Sequence, residues 1–193
     1  MSSTIKKLLP ALVLLMSTTV MADSPDFTNL ELSYRDGDYG PTPDNDADGW
    51  RLDGSFAFND DFFIEGYYGS NDLEGSRADL DSWGVGAGYI LTPGQSVVWY
   101  ATLGYRKEEV NQDFEGFGFG GGVRANISDD FELAAELGYY FGDYDGSFHY
   151  DLGGAWNVNE RFAVTVGFEK REVGDTSPSV KLEQIYVGGR LNF

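Results

Sequence analysis

Three residues in the last third of the chain carry the side-chain types of a hydrolytic triad. Ser147, His149 and Asp151 occur at i, i+2 and i+4 in the segment SFHYD. A triad needs its histidine within hydrogen-bonding distance of both the serine and the acid. On a β-strand, however, alternate side chains stand about 7 Å apart along one face, which is too far for a direct proton relay. We therefore interpret His149, the single histidine of the sequence, as a polar structural residue and not as a catalytic base.

A second candidate site is the acidic segment DNDADG, residues 44–49. It matches the first half of a calcium-binding loop, in which carboxylates alternate ahead of a glycine. The twelfth position of such a loop needs a bidentate glutamate, but Ser55 stands there. We therefore interpret the segment as a solvated acidic loop, with a loosely held divalent cation as the alternative. The sequence predicts no bound metal and no cofactor.

The composition argues against several other kinds of chemistry. The chain has 13 Lys and Arg against 32 Asp and Glu, a formal net charge of −19. This charge argues against nucleic acid as a partner and against simple attraction to anionic lipid headgroups. The chain has no cysteine, so disulfides and thiolate metal sites are excluded. Because the sequence also lacks a phosphate-binding loop and a paired-acid motif, it predicts a protein that is not an enzyme.

The first 22 residues have the organisation of a secretory signal peptide. Two lysines precede a short apolar run at 8–16, and small residues suited to cleavage follow it. The apolar run is too short for a membrane-spanning helix, which needs roughly 20 apolar residues. We therefore predict a signal peptide at 1–22 and one exported domain at 23–193.

Apolar and polar residues alternate with a period of two along the exported domain. In NLELSYR, for example, Leu30, Leu32 and Tyr34 share one face, opposite Glu31 and Arg35. Such alternation predicts β-strands with one apolar and one polar face. Ten strands follow on this basis, with eight as the alternative count: 27–35, 49–58, 62–70, 81–91, 97–106, 116–127, 131–140, 148–158, 162–171 and 182–193.

The connections between the predicted strands alternate in length. Tight polar turns start at Phe58, Leu91, Ile127 and Val158, which are 33, 36 and 31 residues apart. The repeat is therefore a β-hairpin, and all tight turns lie at one end, which we call the turn end. The other end, the loop end, carries longer connections rich in Asp, Glu and Gly: 36–48, 71–80, 107–115, 141–147 and 172–181.

Aromatic residues on the apolar face indicate that this face points outward to lipid. Amphipathic rings favour the headgroup level of a membrane, so two rows of aromatics predict two interfacial girdles. A soluble calyx, which would bury the apolar face, does not explain these two rows. Those near the loop end are Tyr34, Trp50, Tyr68, Trp83, Tyr105, Tyr139 and Tyr150, and those near the turn end are Phe58, Phe62, Tyr89, Trp99, Phe131, Trp156, Phe162 and Phe193.

The polar face of two strands consists mostly of glycine. On a solvated exterior these glycines would weaken the strands, whereas in a crowded lumen they would make room for arginines and tyrosines from facing strands. Together with an even strand number, they predict an all-β, antiparallel up-and-down transmembrane β-barrel in the bacterial outer membrane. The glycines are Gly84, Gly86 and Gly88 on the fourth strand and Gly118, Gly120 and Gly122 on the sixth.

The segment DADGWRLDGSFAFNDDFFIEGYYGSNDLEGSRADLDSWGVGAGY, residues 46–89, resembles a known family. It is similar to small bacterial outer-membrane proteins once described as activators of a plant immune receptor, within the OmpA- and porin-like β-barrel superfamily. Members are Gly-rich ten-stranded barrels with an Asp-Gly-Trp start to strand two and a Trp-x-Val-Gly-x-Gly-Tyr strand four, here 83–89. The terminal GGRLNF, ending in Phe193, resembles the signal by which such barrels are recognised for assembly.

This resemblance implies the location and the fold, and with them a set of partners. We expect contact with outer-membrane lipid and with lipopolysaccharide, whose phosphates could share a divalent cation with the acidic loops. We also expect recognition by the barrel assembly machinery through Phe193, no nucleic acid partner, and a monomer.

Charged residues of both signs are expected inside the barrel in nearly equal numbers. Unpaired charges there would be costly, so we predict a buried ion-pair network that fills the lumen. A narrow water-filled passage is the alternative, because ten strands lie between eight-stranded filled barrels and open channels of roughly 16 strands. The network residues are Arg35, Arg51, Asp53, Glu65, Arg106, Arg124, Glu132, Glu136, Asp151 and Arg190, and Glu31, Glu169 and Arg171 share their face. His149 is expected at the polar rim of this lumen.

The sequence thus predicts an outer-membrane barrel with a structural or weakly pore-forming role and no catalysis. Three alternatives remain. They are a narrow porin-like channel for small solutes, a surface-interaction protein acting through acidic extracellular loops, and a lipid-acting hydrolase that uses His149.

Overall fold

The computed structural model describes residues 24–40, 46–74, 79–110, 113–144, 146–173 and 180–193. These residues form ten antiparallel strands that close into one barrel, in which β1 pairs with both β2 and β10. The strands are β1 (Asn29–Gly40), β2 (Asp46–Ala57), β3 (Phe62–Leu73), β4 (Leu80–Ile90), β5 (Val97–Glu109), β6 (Asp113–Asn126), β7 (Phe131–Gly142), β8 (Ser147–Asn159), β9 (Phe162–Val173) and β10 (Val180–Asn192). The predicted ten-stranded up-and-down barrel is confirmed, and the eight-stranded alternative is wrong.

Two further observations concern the chain as a whole. The predicted signal peptide at 1–22 lies outside the described residues and stays a prediction. The described residues contain no helix that is long and apolar enough to cross a membrane.

The two faces of the wall follow the alternation of the sequence. Leu32 is 56% exposed on the outer wall, whereas the adjacent Ser33 is 1% exposed inside the barrel. On β10, Ile185 likewise points outward while Gln184 and Tyr186 are buried. Because the barrel closes on itself, its backbone N–H and C=O groups pair between strands, as hydrocarbon surroundings require.

The predicted aromatic girdles lie on the outer wall and contact one another across strands. At the loop end, the ring centroid of Tyr105 lies 5.4 Å from that of Trp83 and 5.3 Å from that of Phe117. At the turn end, the rings of Phe62 and Tyr89 are tilted relative to each other, with their centroids 4.9 Å apart. Neighbouring strands therefore hold the rings at two levels, as expected for residues at the two membrane interfaces.

Several strands are longer at the loop end than the alternation predicted. β1 continues to Gly40 instead of ending at 35, and β2 begins at Asp46 instead of 49. In this extension the ladder pairs Asp36 with Asp48 and Asp38 with Asp46. Beyond the girdle the outer face meets water, so the apolar side of the pattern stops while the backbone pairing continues.

The inward glycines make room for side chains, but these come from the neighbouring strand and are mostly aromatic. A Cβ on Gly88 would lie 2.0 Å from Cζ of Phe63, and a Cβ on Gly84 would lie 2.5 Å from Cε1 of Tyr67. Each of these rings belongs to the residue paired directly with its glycine. Tyrosines do occupy the space beside these glycines, as expected, but they come from the neighbouring strand and not from a facing one, because cross-strand partners stand closest on the same face. The same pairing joins Gly118 with Tyr140 and Gly122 with Tyr100.

Candidate functional site: the barrel lumen

The lumen is divided into three layers along the barrel axis. Buried apolar side chains form a cluster near each end, and a polar central cavity of about 240 Å³ lies between them. We call these apolar layers the loop-end cluster and the turn-end cluster. The loop-end cluster consists of Ala47, Leu73, Leu80 and Leu182, and the turn-end cluster consists of Phe27, Phe63, Ile90, Val98 and Tyr100.

Arg106 lies in the loop-end half of the lumen and is held by rings as well as by hydrogen bonds. Its guanidinium carbon is 3.9 Å from the ring centroid of Tyr140 and 4.0 Å from that of Tyr144. Nη2 donates to Ser147 Oγ at 3.3 Å and to the backbone oxygen of Glu172 at 2.9 Å. Burial raises the pKa of Tyr144, so its hydroxyl remains neutral beside the cation.

Glu169 is the centre of the largest group of ion pairs. Its carboxylate accepts hydrogen bonds from Arg35 and Arg51, the latter at 3.2 Å between Nη1 and Oε1. Two further nitrogens lie near Oε1 of Glu169: His149 Nε2 at 3.3 Å and Arg171 Nε at 3.8 Å. Glu169 is 2% exposed, so the three arginines compensate a charge that water barely reaches.

The remaining members of this group extend it in two directions. Asp53 accepts from Arg51 at 2.7 Å, and Arg171 Nη1 lies 3.3 Å from Oε1 of the fully buried Glu108. Arg35, Arg51 and Asp53, all predicted network residues, are therefore brought together around Glu169. Sequence reasoning placed Glu169 inside the lumen but did not identify it as the common partner.

A second ion-pair group lies near the turn end and is built on Glu132. Arg124 donates to both carboxylate oxygens, with Nη2 2.9 Å from Oε2, and Arg190 Nη1 donates to Oε1 at 3.0 Å. Arg124 Nη1 also donates to the backbone oxygen of Asp26 at 2.6 Å. This group therefore ties the segment before β1 to the wall of the barrel.

The central cavity is lined by carboxyl groups that take no part in these pairs. Glu65, Glu136 and Asp151 line it, and among the described residues no Arg, Lys or His nitrogen lies within 4.0 Å of them. Tyr100 donates to Glu136 and Tyr186 donates to Asp151, each at 2.9 Å. A cavity of this size holds roughly eight waters at about 30 Å³ each. The predicted lumen charges thus form two ion-pair groups, and Glu65, Glu136 and Asp151 of the central cavity belong to neither group.

The structure separates the three residues of the triad pattern. Ser147 Oγ accepts from Arg106, His149 Nε2 faces Glu169, and Asp151 accepts from Tyr186. His149 lines the central cavity, deeper than the predicted rim. The three side chains therefore serve other partners.

The acidic segment at 44–49 begins outside the described residues and continues into β2, which starts at Asp46. Within the part of the chain that the structure describes, no group of three or more His, Asp or Glu could hold a metal ion. Phe193 lies exposed at the turn end, and its backbone N–H donates to Thr28 O at 3.1 Å. Its role as an assembly signal stays a prediction.

Comparison with known proteins gives one family and several similar folds. Residues 9–145 match the family model described as outer membrane protein beta-barrel domain. The translocator domain of autotransporter NalP from Neisseria meningitidis is similar, with a TM-score of 0.50, 8% identity, and 98% of this chain and 96% of that chain covered. No curated protein matches the chain.

Two further solved structures show lower similarity. A KdgM porin has a TM-score of 0.45 at 12% identity, with 86% of this chain and 99% of that chain covered. Ail, the attachment invasion locus protein of Yersinia pestis, has a TM-score of 0.42 at 16% identity, with 86% and 97% covered. At these identities the likeness concerns the fold alone.

The family match spans more than half of the chain, and it agrees with the closed barrel and its apolar outer wall. The predicted resemblance to small outer-membrane barrels and the predicted location are confirmed. The chain belongs to the outer membrane protein beta-barrel domain family, and its place is the outer membrane of a bacterium.

Proposed function

We propose that this protein is a structural outer-membrane barrel that conducts ions weakly or not at all and has no catalytic activity. The observation that carries the proposal is the cluster of buried apolar side chains near each end of the lumen, which we infer to close it. Leu80 and Val98 are fully buried, and Leu182 is 1% exposed. Apolar constrictions exclude water and with it hydrated ions, which is how hydrophobic gates close channels.

The ion pairs support a structural role because they join strands that are not neighbours. Arg51 on β2 contacts Glu169 on β9, although β1 and β10 separate these strands in the wall. Gln184 on β10 donates to Asn71 on β3 at 2.7 Å. Such bridges fix the cross-section of the barrel from inside, which adds to the stability given by the backbone ladder.

A second candidate function is a narrow channel for small cations. The central cavity favours it, because Glu65, Glu136 and Asp151 line that cavity without a paired cation and would attract positive ions. In either case we place the longer loops on the outside of the cell, where acidic side chains would share divalent cations with the phosphates of lipopolysaccharide.

Recording from the refolded wild-type barrel in a planar lipid bilayer separates the two candidates. We expect at most brief, small openings, because both apolar clusters must be crossed. Folding and insertion are verified in the same preparation by the heat-dependent shift of the barrel in electrophoresis. Steady, large, cation-selective openings would contradict the structural proposal and favour the channel.

A further inference from the structure

The two closures of the lumen differ in how they are attached to the barrel. Every member of the loop-end cluster sits on a strand, from Ala47 on β2 to Leu182 on β10. These side chains cannot leave the lumen unless strands unpair. The turn-end cluster instead depends on Phe27, which belongs to a short segment before β1, residues 24–28, that we call the plug segment.

Phe27 bridges the mouth at the turn end. Its ring centroid lies 4.8 Å from that of Phe63 on β3 and 5.6 Å from that of Tyr100 on β5. On its other side, the guanidinium carbon of Arg124 on β6 is 4.7 Å from the ring centroid. Phe27 is 6% exposed, so one side chain from outside the wall completes the seal.

Few polar contacts hold the plug segment in place. Ser55 Oγ donates to Phe27 O at 2.6 Å, and Arg124 Nη1 donates to Asp26 O at the same distance. Asn29 Nδ2 donates a longer hydrogen bond to Asp26 O, at 3.2 Å. Thr28 is bound more firmly to the wall, since its backbone oxygen accepts from Phe193 N and its Oγ1 accepts from Ala57 N. Thr28 is therefore the natural pivot. Residues 24–27 accept hydrogen bonds from side chains of the wall, and Asp26 Oδ1 accepts from the backbone N–H of Thr28 itself at 2.7 Å.

Open space surrounds the plug segment at the turn end. One cleft of about 530 Å³ is lined by Ser24, Asp26, Asp129 and other residues of the neighbouring turns. Another of about 530 Å³ is lined by Ser24, Asp26, Phe27 and Pro93 among others. The segment can thus move sideways into these clefts without displacing a strand.

We propose that the plug segment is a gate that pivots at Thr28 and opens the central cavity to the turn end while the loop-end cluster stays closed. This inference rests on the closed lumen of the proposed function. Opening withdraws the ring of Phe27 from the turn-end cluster and releases the hydrogen bonds that Ser55, Arg124 and Asn29 donate to the backbone oxygens of the segment. The backbone ladder and the two ion-pair groups remain in place, because Glu132 continues to hold Arg124.

A thiol placed in the central cavity tests the gate. Thr102 lines the cavity. Because the chain has no cysteine, the substitution Thr102→Cys gives a single reactive site. The rate of its reaction with a small charged thiol reagent is measured on the folded barrel in detergent. We expect the added change Phe27→Ser to raise this rate by about tenfold or more, since the open state becomes the populated one.

The matched control is Phe131→Ser, which makes the same change at an exposed position of the outer wall near the turn end. It should leave the reaction rate of the reporter unchanged. If Phe27→Ser does not fold, Ser55→Ala decides, because it removes one hydrogen bond to the plug segment and keeps every ring. We expect it to raise the rate about fivefold, the factor that one lost hydrogen bond supplies.

Three results are distinguishable. An unchanged rate in folded Phe27→Ser, or in Ser55→Ala where only that variant folds, overturns the gate. An equal rise in Phe131→Ser also overturns it, since the effect would then come from general loosening of the barrel. Reaction in the parent barrel at the rate of a free thiol contradicts the closed lumen itself, and so the proposed function.

Discussion

At the scale of single residues, a lumen carboxylate that water barely reaches has a cation partner. Glu132 and Glu169 are 4% and 2% exposed, and each contacts at least two cationic side chains. Glu65 and Glu136 face the central cavity and have none within 4.0 Å among the described residues. A dry carboxylate without a cation would cost several kcal/mol, whereas cavity water can solvate one.

Glu132→Ala tests this rule in the ion-pair group near the turn end. The change leaves Arg124 and Arg190 without their shared carboxylate, so we expect the free energy of unfolding to fall by about 3–5 kcal/mol. Urea unfolding of the refolded barrel measures it. The control is Glu109→Ala, which removes a carboxylate from the exposed pair with Lys107 and should leave the midpoint unchanged. Equal midpoints for both variants would show that water screens Glu132 in spite of its position.

The direction of each lumen residue could be predicted from the sequence, but its partner could not. Alternation fixes the face of Arg51 and of Glu169, which are 118 residues apart. Their contact depends on which strands face each other after the barrel closes, and no local pattern records that. Phe27 was missed as a lumen residue, although the alternation could have identified it. It precedes Asn29 by two residues and therefore shares the face of Asn29 and the inward residues after it.

At the scale of strands, the alternation rule holds between the girdles and fails beyond them. Leu73 and Leu80 lay in a predicted loop at 71–80, yet they are the ends of β3 and β4 and point inward. An apolar residue on the lumen side contradicts the pattern of a lipid-facing barrel, so sequence reasoning gave it no role. The loop-end cluster could therefore not be predicted before the positions of the strands were known.

Two adjacent residues of β7 test the assignment of the two faces within one strand. Ala135 pairs with Val123 and Leu152 in the ladder of the outer wall, whereas Ala134 lines the central cavity. We expect Ala135→Arg to lower the free energy of unfolding by about 2–4 kcal/mol, as charges on lipid-facing positions near the midplane do. Ala134→Arg should be tolerated better, because the new cation would meet Glu136. Unfolding midpoints in lipid vesicles provide the comparison, and a reversed order would mean that the faces are exchanged.

At the scale of the whole molecule, the lumen is a series of barriers and not a uniform pore. An ion that crosses must pass the loop-end cluster, the ion pairs around Glu169, the central cavity and the turn-end cluster. Resistances in series add, so the most closed layer sets the conductance. We therefore expect that the polar cavity alone gives no conducting path, and that opening one end alone gives none either.

This arrangement predicts a non-additive effect on conductance. Phe27→Ser replaces the bridging ring of the turn-end cluster, and Leu182→Ser replaces a side chain of the loop-end cluster that is 1% exposed. We expect each single variant to remain nearly silent in a planar bilayer, because the other cluster still excludes water. The double variant should show steady openings that prefer cations, since ions then pass the unpaired carboxyl groups of the cavity.

A control with Leu103→Ser and Phe131→Ser, both on the outer wall, should stay closed. Conduction by Phe27→Ser alone would show that the loop-end cluster is no barrier, and a silent but folded double variant would place the barrier at the ion pairs between the clusters.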